Sequence, residues 1–299
     1  MFKLYGYGFM KNLKFMDLRR RAITNHQSPI NVFIPNLINA GDQFNYLLLD
    51  YFKIKYNIVR SASSADLLLL SSGLGYLQKS NIAINKKKLH ILGSGFLFEE
   101  GTNNVLVRPN LSVYALRGFL SKKKLSRIAS MTLPDDLPLA DTGLLASMFA
   151  RGFVIKKYEI GFIPHFREQD TDIVKNVLAF NPAMHFIDIK KPPVEVIHQI
   201  RKCKTVVSSS LHGLIFSDSL NIPNIHVRLT ELPLGGTFKF KDYYSSFGQE
   251  LTSLNPELLF SITRKQIIQN YKIKKSQVEI KKRELLNSIR LLKENIKSS

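Results

Sequence analysis

The residues best suited to chemistry in this 299-residue chain lie in "VVSSSLHGLIFSDSLNIPN", positions 206–224. An apolar run reaches Ser208, Ser209 and Ser210, passes Leu211, His212 and Gly213, and resumes until Asn-Ile-Pro closes it. That pattern predicts a buried strand handing over to a helix. At such a junction the first backbone N–H groups of the helix lack intrahelical partners, and with the helix dipole they favour an anion. The serine hydroxyls would cap the helix or bind the same anion. Gly213 would let a ligand or a neighbouring strand approach the backbone. His212, at the helix start, would donate to a phosphate or transfer a proton near neutral pH. The alternative, serines that only cap and a satisfied structural histidine, stays open at this level.

Other predicted strand ends carry further candidates. Gly41 and Asp42 follow the first strand, where Asp42 would cap a helix or bind an acceptor hydroxyl. Gly93-Ser94-Gly95 ends another strand, and an isolated glycine pair of this kind is weak evidence for a ligand. Arg117, glycine-flanked among neighbours that read as buried, needs a partner for its charge. His165 lies at the end of the strand stretch "YEIGFIPHF" (158–166) with Arg167 just after it, and Arg228 lies at the end of "NIHVRL" (224–229). In "FKFKDYY" (238–244) Lys239, Lys241 and Asp242 alternate with aromatics, which suits sugar and anion binding or a half-buried strand. Asp170 and Asp172 flank Thr171 at a helix start and read as capping chemistry rather than a metal pair. The remaining histidines have no metal-site spacing, so no metal or other cofactor is expected.

The elements that must position these residues alternate. "INVFIP" (30–35), "DLLLLSS" (66–72), "LHILGSGF" (89–96) and "SVYALRG" (112–118) read as strands, with a helix in "YLLLDYF" after a loop "NLINAGDQFN". "FLSKKKLSRIAS" (119–130) reads as a surface helix with its lysines outward. Four further strands, in 158–166, 184–189, 204–210 and 224–229, alternate with three helices, the signal for a doubly wound parallel sheet. Two such halves make an α/β protein with a cleft between them, divided near residue 152. The expected units are 1–152, 153–260 and a basic amphipathic helical segment 261–299. On that last segment Val278, Leu285, Ile289, Leu292 and Ile296 line one face.

Composition bounds the partners. With 44% hydrophobic and 22% charged residues the chain is globular, and its single cysteine, Cys203, excludes an intramolecular disulfide and a cysteine metal cluster. No stretch of about 18 apolar residues suggests a membrane span, and the N-terminus lacks the apolar segment of a secretory signal. A cytoplasmic location is expected. The net charge is +20, concentrated in residues 264–299 (net +8) and 1–21 (net +5). Such ends either are simply solvated or suit an anionic membrane surface, which would place the protein on the inner face of the plasma membrane. They lack the aromatic and zinc-binding motifs of nucleic-acid readers, so nucleic acid is not expected as a partner.

Seven segments in order resemble the polysaccharide pyruvyl transferase family. They are the Asn-x-Gly-Asp-like "NAGDQFNYLLLDYF", "ILGSGF", the Arg-Gly element in "YALRGFLSKKKL", "DTGLL", "IGFIPHF", "VVSSSLHGLIFSDSLNIPN" and "FKFKDYYSSFG". The resemblance spans residues 39–248. It implies two Rossmann-like domains arranged as in GT-B glycosyltransferases, with the active site between them. It also implies phosphoenolpyruvate as donor, a sugar or lipid-linked oligosaccharide as acceptor, and a pyruvate ketal and phosphate as products. Carried over by position, His212, His165 and Asp42 are the catalytic candidates. Arg117, Ser208, Ser209, Ser210, Leu211, Gly213 and Lys239 are candidates for donor binding. Gly41, Gly93, Ser94, Gly95, Arg167, Arg228 and Asp242 are further candidates for the cleft. Many members have arginine where this chain has Ser210, so a guanidinium fork is missing at that position. A GT-B glycosyltransferase with a nucleotide-sugar donor is the alternative, and a silent basic binding protein a third reading.

Overall fold

A computed structural model of the chain describes residues 29–33, 38–59, 64–69, 72–78, 87–99 and 110–297. The basic amino-terminal stretch lies outside the described residues. Five parallel strands form a first sheet: β1 (Ile30–Phe33), β2 (Tyr56–Val59), β3 (Leu67–Leu69), β4 (Leu89–Ser94) and β5 (Leu111–Leu116), in the order β2-β1-β3-β4-β5. Helix α1 (Ala40–Tyr51) links β1 to β2, and α2 (Phe119–Ala129) follows β5. The second sheet, also parallel, contains β6 (Tyr158–Ile163), β7 (Met184–Phe186), β8 (Cys203–Ser208), β9 (Asn224–Val227) and β10 (Ser253–Leu254) in the order β10-β9-β8-β6-β7. Its crossovers are α3 (Asp172–Phe180), α4 (Pro193–Arg201), α5 (Leu211–Ser219) and α6 (Phe238–Ser245), and the chain continues through α7 (Arg264–Asn270) and α8 (Lys275–Lys297). This is a mixed α/β protein with two parallel five-stranded sheets, consistent with two Rossmann-like domains.

Local chemistry accounts for the elements. β3 and β4 are buried along their whole length, as strands covered on both faces by helices must be, and therefore read as continuous apolar runs. β2 and the two-residue β10 are edge strands without such a run, and the sequence reading passes over both. α1 starts earlier than predicted. Asn39 caps it by accepting from the Asp42 N–H at 3.1 Å, so Gly41 and Asp42 lie in its first turn and not in a loop. The predicted lysine-outward α2 is corrected at Lys124, which is buried with its amine on the Phe98 carbonyl at 2.7 Å and over the Phe96 ring. "FKFKDYY" is helical in α6 rather than a strand, because a short mixed run fits either period and burial of six of the eight residues of α6 decides it.

α5 is buried on every side, from Leu211 to Ser219. Its serines are satisfied within the protein: Ser217 donates to the Gly213 carbonyl at 2.7 Å, and the Ser219 hydroxyl meets the 3-10 segment Thr142–Phe149 at the Leu144 carbonyl and the Ser147 N–H. α8 packs Val278, Leu285, Ile289 and Leu292 into the central core. Its Lys282 amine reaches the Ser219 carbonyl at 2.8 Å, a cation at the α5 C-terminus where the helix dipole favours one.

One ion pair ties the first sheet to α6. Arg117 Nε donates to Asp242 Oδ2 at 2.8 Å with both side chains fully buried. Its other nitrogens reach the Phe96 carbonyl at 2.5 Å and Ser72 Oγ at 3.3 Å. Asp242 also accepts from the Ser121 N–H and hydroxyl at 2.7 and 2.6 Å. Two glycines make room. A Cβ at Gly95 would lie 2.4 Å from Arg117 Cζ, and one at Gly118 would lie 1.7 Å from the Asp242 carbonyl oxygen. Breaking a buried pair from one side leaves the other charge uncompensated and typically costs about 3–5 kcal/mol. Asp242→Ala is therefore expected to lower the unfolding free energy by about that much in urea titrations. A loss below about 1 kcal/mol would show that the pair does not join the two regions.

Candidate active site

Both sheets run second, first, third, fourth, fifth in strand order, so each reverses direction between its first and third strands: β1/β3 and β6/β8. In open α/β sheets ligands bind beyond the carboxyl ends of the strands at such a reversal. β1 leads to Gly41 and Asp42, β6 to His165 and Arg167, and β8 to Ser208–His212. The two crevices meet, because a Cβ on Gly41 would lie 1.8 Å from the His212 Nδ1 atom. Gly41 is glycine because the imidazole of the other sheet occupies the space of its side chain.

The serines divide the work. Ser208 Oγ accepts from the Ser210 N–H at 2.9 Å and lies 2.8 Å from the Ile163 carbonyl, stitching β8 to β6. Ser209 Oγ donates to Glu168 at 2.5 Å and accepts from the His165 N–H at 2.8 Å. The Ser210 side chain makes no capping bond although Ser210 is the N-cap of α5. The space beside Gly213 is filled by Ser208 and Ile163, so this glycine lets the helix settle on its own strand. Leu211 opens the helix, buried at 6% exposure.

His212 is 6% exposed and its Nε2 has no hydrogen-bond partner among the described residues. Burial, then the nearby charges of Arg117 and Lys239, push its pKa down to about 3. His165 is likewise pushed down to about 3 by burial and by Lys239 and Arg167, and His226 to about 3 by burial and by Lys239 and Arg228. All three are neutral at physiological pH. Lys239 on α6 is the common neighbour. It is 7% exposed, and its pKa is pushed down to about 8 by burial first and then by Arg117, partly offset by Glu168 and Asp42. A desolvated ammonium beside neutral imidazoles, near the amino end of α5, is an arrangement that can receive an anion.

The other candidates fall less centrally. Asp42 is buried in the first turn of α1, bonded to the Asn39 amide at 2.6 Å and within electrostatic reach of Lys239. Arg117 and Asp242 spend their charges on one another. Gly93, at φ +72°, faces the Thr142 backbone, and Gly95 faces Arg117, so both serve packing. Ser94 is buried with no hydrogen-bond partner for its hydroxyl among the described residues. Arg167 is exposed over the Phe166 ring, and Arg228 is half exposed and paired with Glu231. Sequence reasoning missed Glu168. This fully buried carboxylate accepts from Ser209, from the Thr230 N–H at 3.0 Å and from the Thr230 hydroxyl at 2.8 Å, and so ties together the segments after β6, β8 and β9. Its only sequence signal is an acid three residues after the strand-end histidine. Among the described residues no group of three or more His, Cys, Asp or Glu could hold a metal ion.

The fold and this crevice define an α/β protein with a buried cationic site between two parallel sheets. A family model described as polysaccharide pyruvyl transferase matches residues 22–230. The chain belongs to that family, which supports a transferase of polysaccharide biosynthesis with a polysaccharide as acceptor. An uncharacterized protein of Acanthamoeba polyphaga mimivirus is 28% identical over 247 residues, 74% of this chain and 75% of that one. A functionally uncharacterized Klebsiella pneumoniae protein of known crystal structure matches at 14% identity with a TM-score of 0.42, covering 76% of this chain and 93% of that one. A likeness that loose carries no argument.

The buried histidines set a pH dependence. Unfolded, His212 and His226 would titrate near the ordinary value of 6.5, while folded they stay neutral down to about 3. As pH falls through 6.5 the unfolded chain takes up protons that the folded chain refuses, so stability drops by about 1.4 kcal/mol per pH unit for each histidine. His212→Gln is expected to lower the slope of unfolding free energy against pH, between about 4.5 and 6, by close to one proton. An unchanged slope would mean that His212 is charged in the folded protein.

Proposed function

We propose that this protein transfers the pyruvyl group of phosphoenolpyruvate to a sugar residue of a surface polysaccharide or its lipid-linked precursor. The observation that carries this reading is the buried, neutral His212 with an unpartnered Nε2, held against Gly41 beside the desolvated ammonium of Lys239. The proposed units are residues 1–152 on the acceptor side, 153–260 on the donor side and the helical segment 261–299, with the two sheets in a GT-B-like arrangement.

The donor carries a phosphate and a carboxylate. Lys239, the Ser210 hydroxyl and the first N–H groups of α5, those of Leu211, His212 and Gly213, supply the donors such a dianion requires. Lys239 thus takes the role that the family arginine before Leu-His-Gly would fill, since Arg117 is committed to Asp242. The arriving negative charge raises the His212 pKa from its depressed value, so donor binding favours the imidazolium. His212 then protonates the methylene carbon of the donor, which becomes the methyl group and leaves an oxocarbenium-like carbon. Two acceptor hydroxyls add to that carbon and phosphate departs. One hydroxyl proton leaves with the phosphate and the second passes to Asp42 or His165.

Phosphate release from phosphoenolpyruvate in the presence of saccharide acceptors tests the reading. His212→Ala is expected to cut kcat by about 10²–10⁴-fold, and Gly41→Ala, which displaces the ring, by about 10²-fold. Lys239→Met is expected to raise KM for the donor more than it lowers kcat. Thermal stabilisation by a nucleotide sugar, with none by phosphoenolpyruvate, would replace this reading with a glycosyltransferase.

A further inference from the structure

The segment Arg151–Lys157 joins the 3-10 segment before it to the amino end of β6, at the pole of the second sheet opposite the crevice. It carries the most exposed large apolar side chain among the described residues, Phe153 at 91%, with Ile155 at 65% two positions on. The segment is tied at both ends. The Arg201 guanidinium donates to the Arg151 carbonyl at 2.6 Å and to that of Gly152. The Lys156 amine donates to the Cys203 carbonyl at 2.6 Å, and the Lys157 N–H to the Lys202 carbonyl at 2.7 Å. Gly152 turns the backbone at φ +72°, a conformation open to glycine at no steric cost. Phe153 is therefore held out from a pinned turn.

The surroundings are cationic. Arg151, Lys156, Lys157, Arg201 and Lys202 adjoin the turn, and no ion pair is formed by any of them among the described residues. Glu159 is the nearby acid, and it is already shared between Lys204 and Arg264. We infer that this turn is a membrane-docking finger, with Phe153 and Ile155 entering the headgroup boundary of an anionic bilayer and the side chains of Arg151, Lys157 and Lys202 meeting its phosphates, while Arg201 and Lys156 hold the turn.

Magnitude favours a bilayer over a protein partner. An aromatic side chain offers on the order of 150–250 Å², so two side chains fall well short of the roughly 800 Å² per partner of a stable protein interface. A bilayer needs only a small apolar insertion supported by cations at the headgroups. The apolar face of α8 does not supply the insertion, since Val278, Leu285, Ile289 and Leu292 are spent in the core, and the apolar side chains α8 leaves outside, Ile280, Leu286 and Leu291, are each less exposed than Phe153 and Ile155. Docking by the opposite pole leaves the crevice open. The inference does not depend on which donor the crevice takes.

The chain contains no tryptophan, so Phe153→Trp places a single indole at the finger tip without background. With vesicles of about 30% phosphatidylglycerol at about 0.1 M salt, the full chain is expected to co-sediment. The indole should shift to shorter emission wavelength and be quenched by brominated acyl chains. Phosphatidylcholine vesicles should give neither effect. The double variant Phe153→Ser, Ile155→Ser should lose vesicle affinity by about tenfold or more while keeping its thermal transition. No co-sedimentation, co-sedimentation with unchanged indole emission, or undiminished affinity of the double variant would each overturn the assignment. Retention on an acidic polymer but not on anionic vesicles would overturn it as well, and would point to a polyanion at the same cations.

Discussion

Arg117 and Asp242 must share one dry volume, because a guanidinium or a carboxylate left alone at full burial is not tolerated. That requirement places α6, reached from the second sheet, against the end of β5 and the start of α2 in the first. Lys239 lies three residues before Asp242 on the same helix and so on the same side of it, which carries its ammonium into the crevice. The next residue after Asp242 extends the constraint. Tyr243 donates to Asp218 at 2.7 Å, and Tyr271 and Asn224 reach the other oxygen of that buried carboxylate at 2.9 and 2.6 Å. Asp218 is at the far end of α5, so the helix that presents His212 is anchored to the helix that presents Lys239.

The electrostatics of the crevice follow from this packing. Burial raises the cost of every charge, and the three histidines around Lys239 respond by remaining neutral. The lysine cannot respond as fully, since Asp42 and Glu168 lie close enough to hold part of its charge in place. The result is a desolvated ammonium, with the paired Arg117 behind it, among weak bases that can accept protons once an anion arrives. An arrangement of this kind is set up for negative charge in advance, as the proposed donor would require.

Much of this was legible without the fold. Strand ends and helix starts are local events, so the sequence alone marked Ser208–Gly213, Gly41-Asp42, His165 and Arg117 as positions of interest. Buried parallel strands also declare themselves as apolar runs. Edge strands such as β2 and β10 do not, and a short run like "FKFKDYY" satisfies helix and strand periods alike. Glu168 was invisible for a different reason. Its role depends on Ser209 and Thr230, 41 and 62 residues away, and nothing in its neighbours announces them.

The amino-acid sequence by itself determined the alternation of strands and helices, the family and the residue types at the strand ends, since each depends on periodicity or short spacing. Only the tertiary structure decided which of those residues act together. By sequence Arg117 and Lys239 are both candidates for donor binding, but the partner of Arg117 stands 125 residues along the chain in Asp242, and the pairing leaves Lys239 as the buried cation facing the histidines, without an ion pair among the described residues. Gly41 and His212 come from different sheets and meet only when the sheets pack. Charge compensation in a dry interior is a long-range condition on the folded chain, and no local pattern of residues encodes its solution.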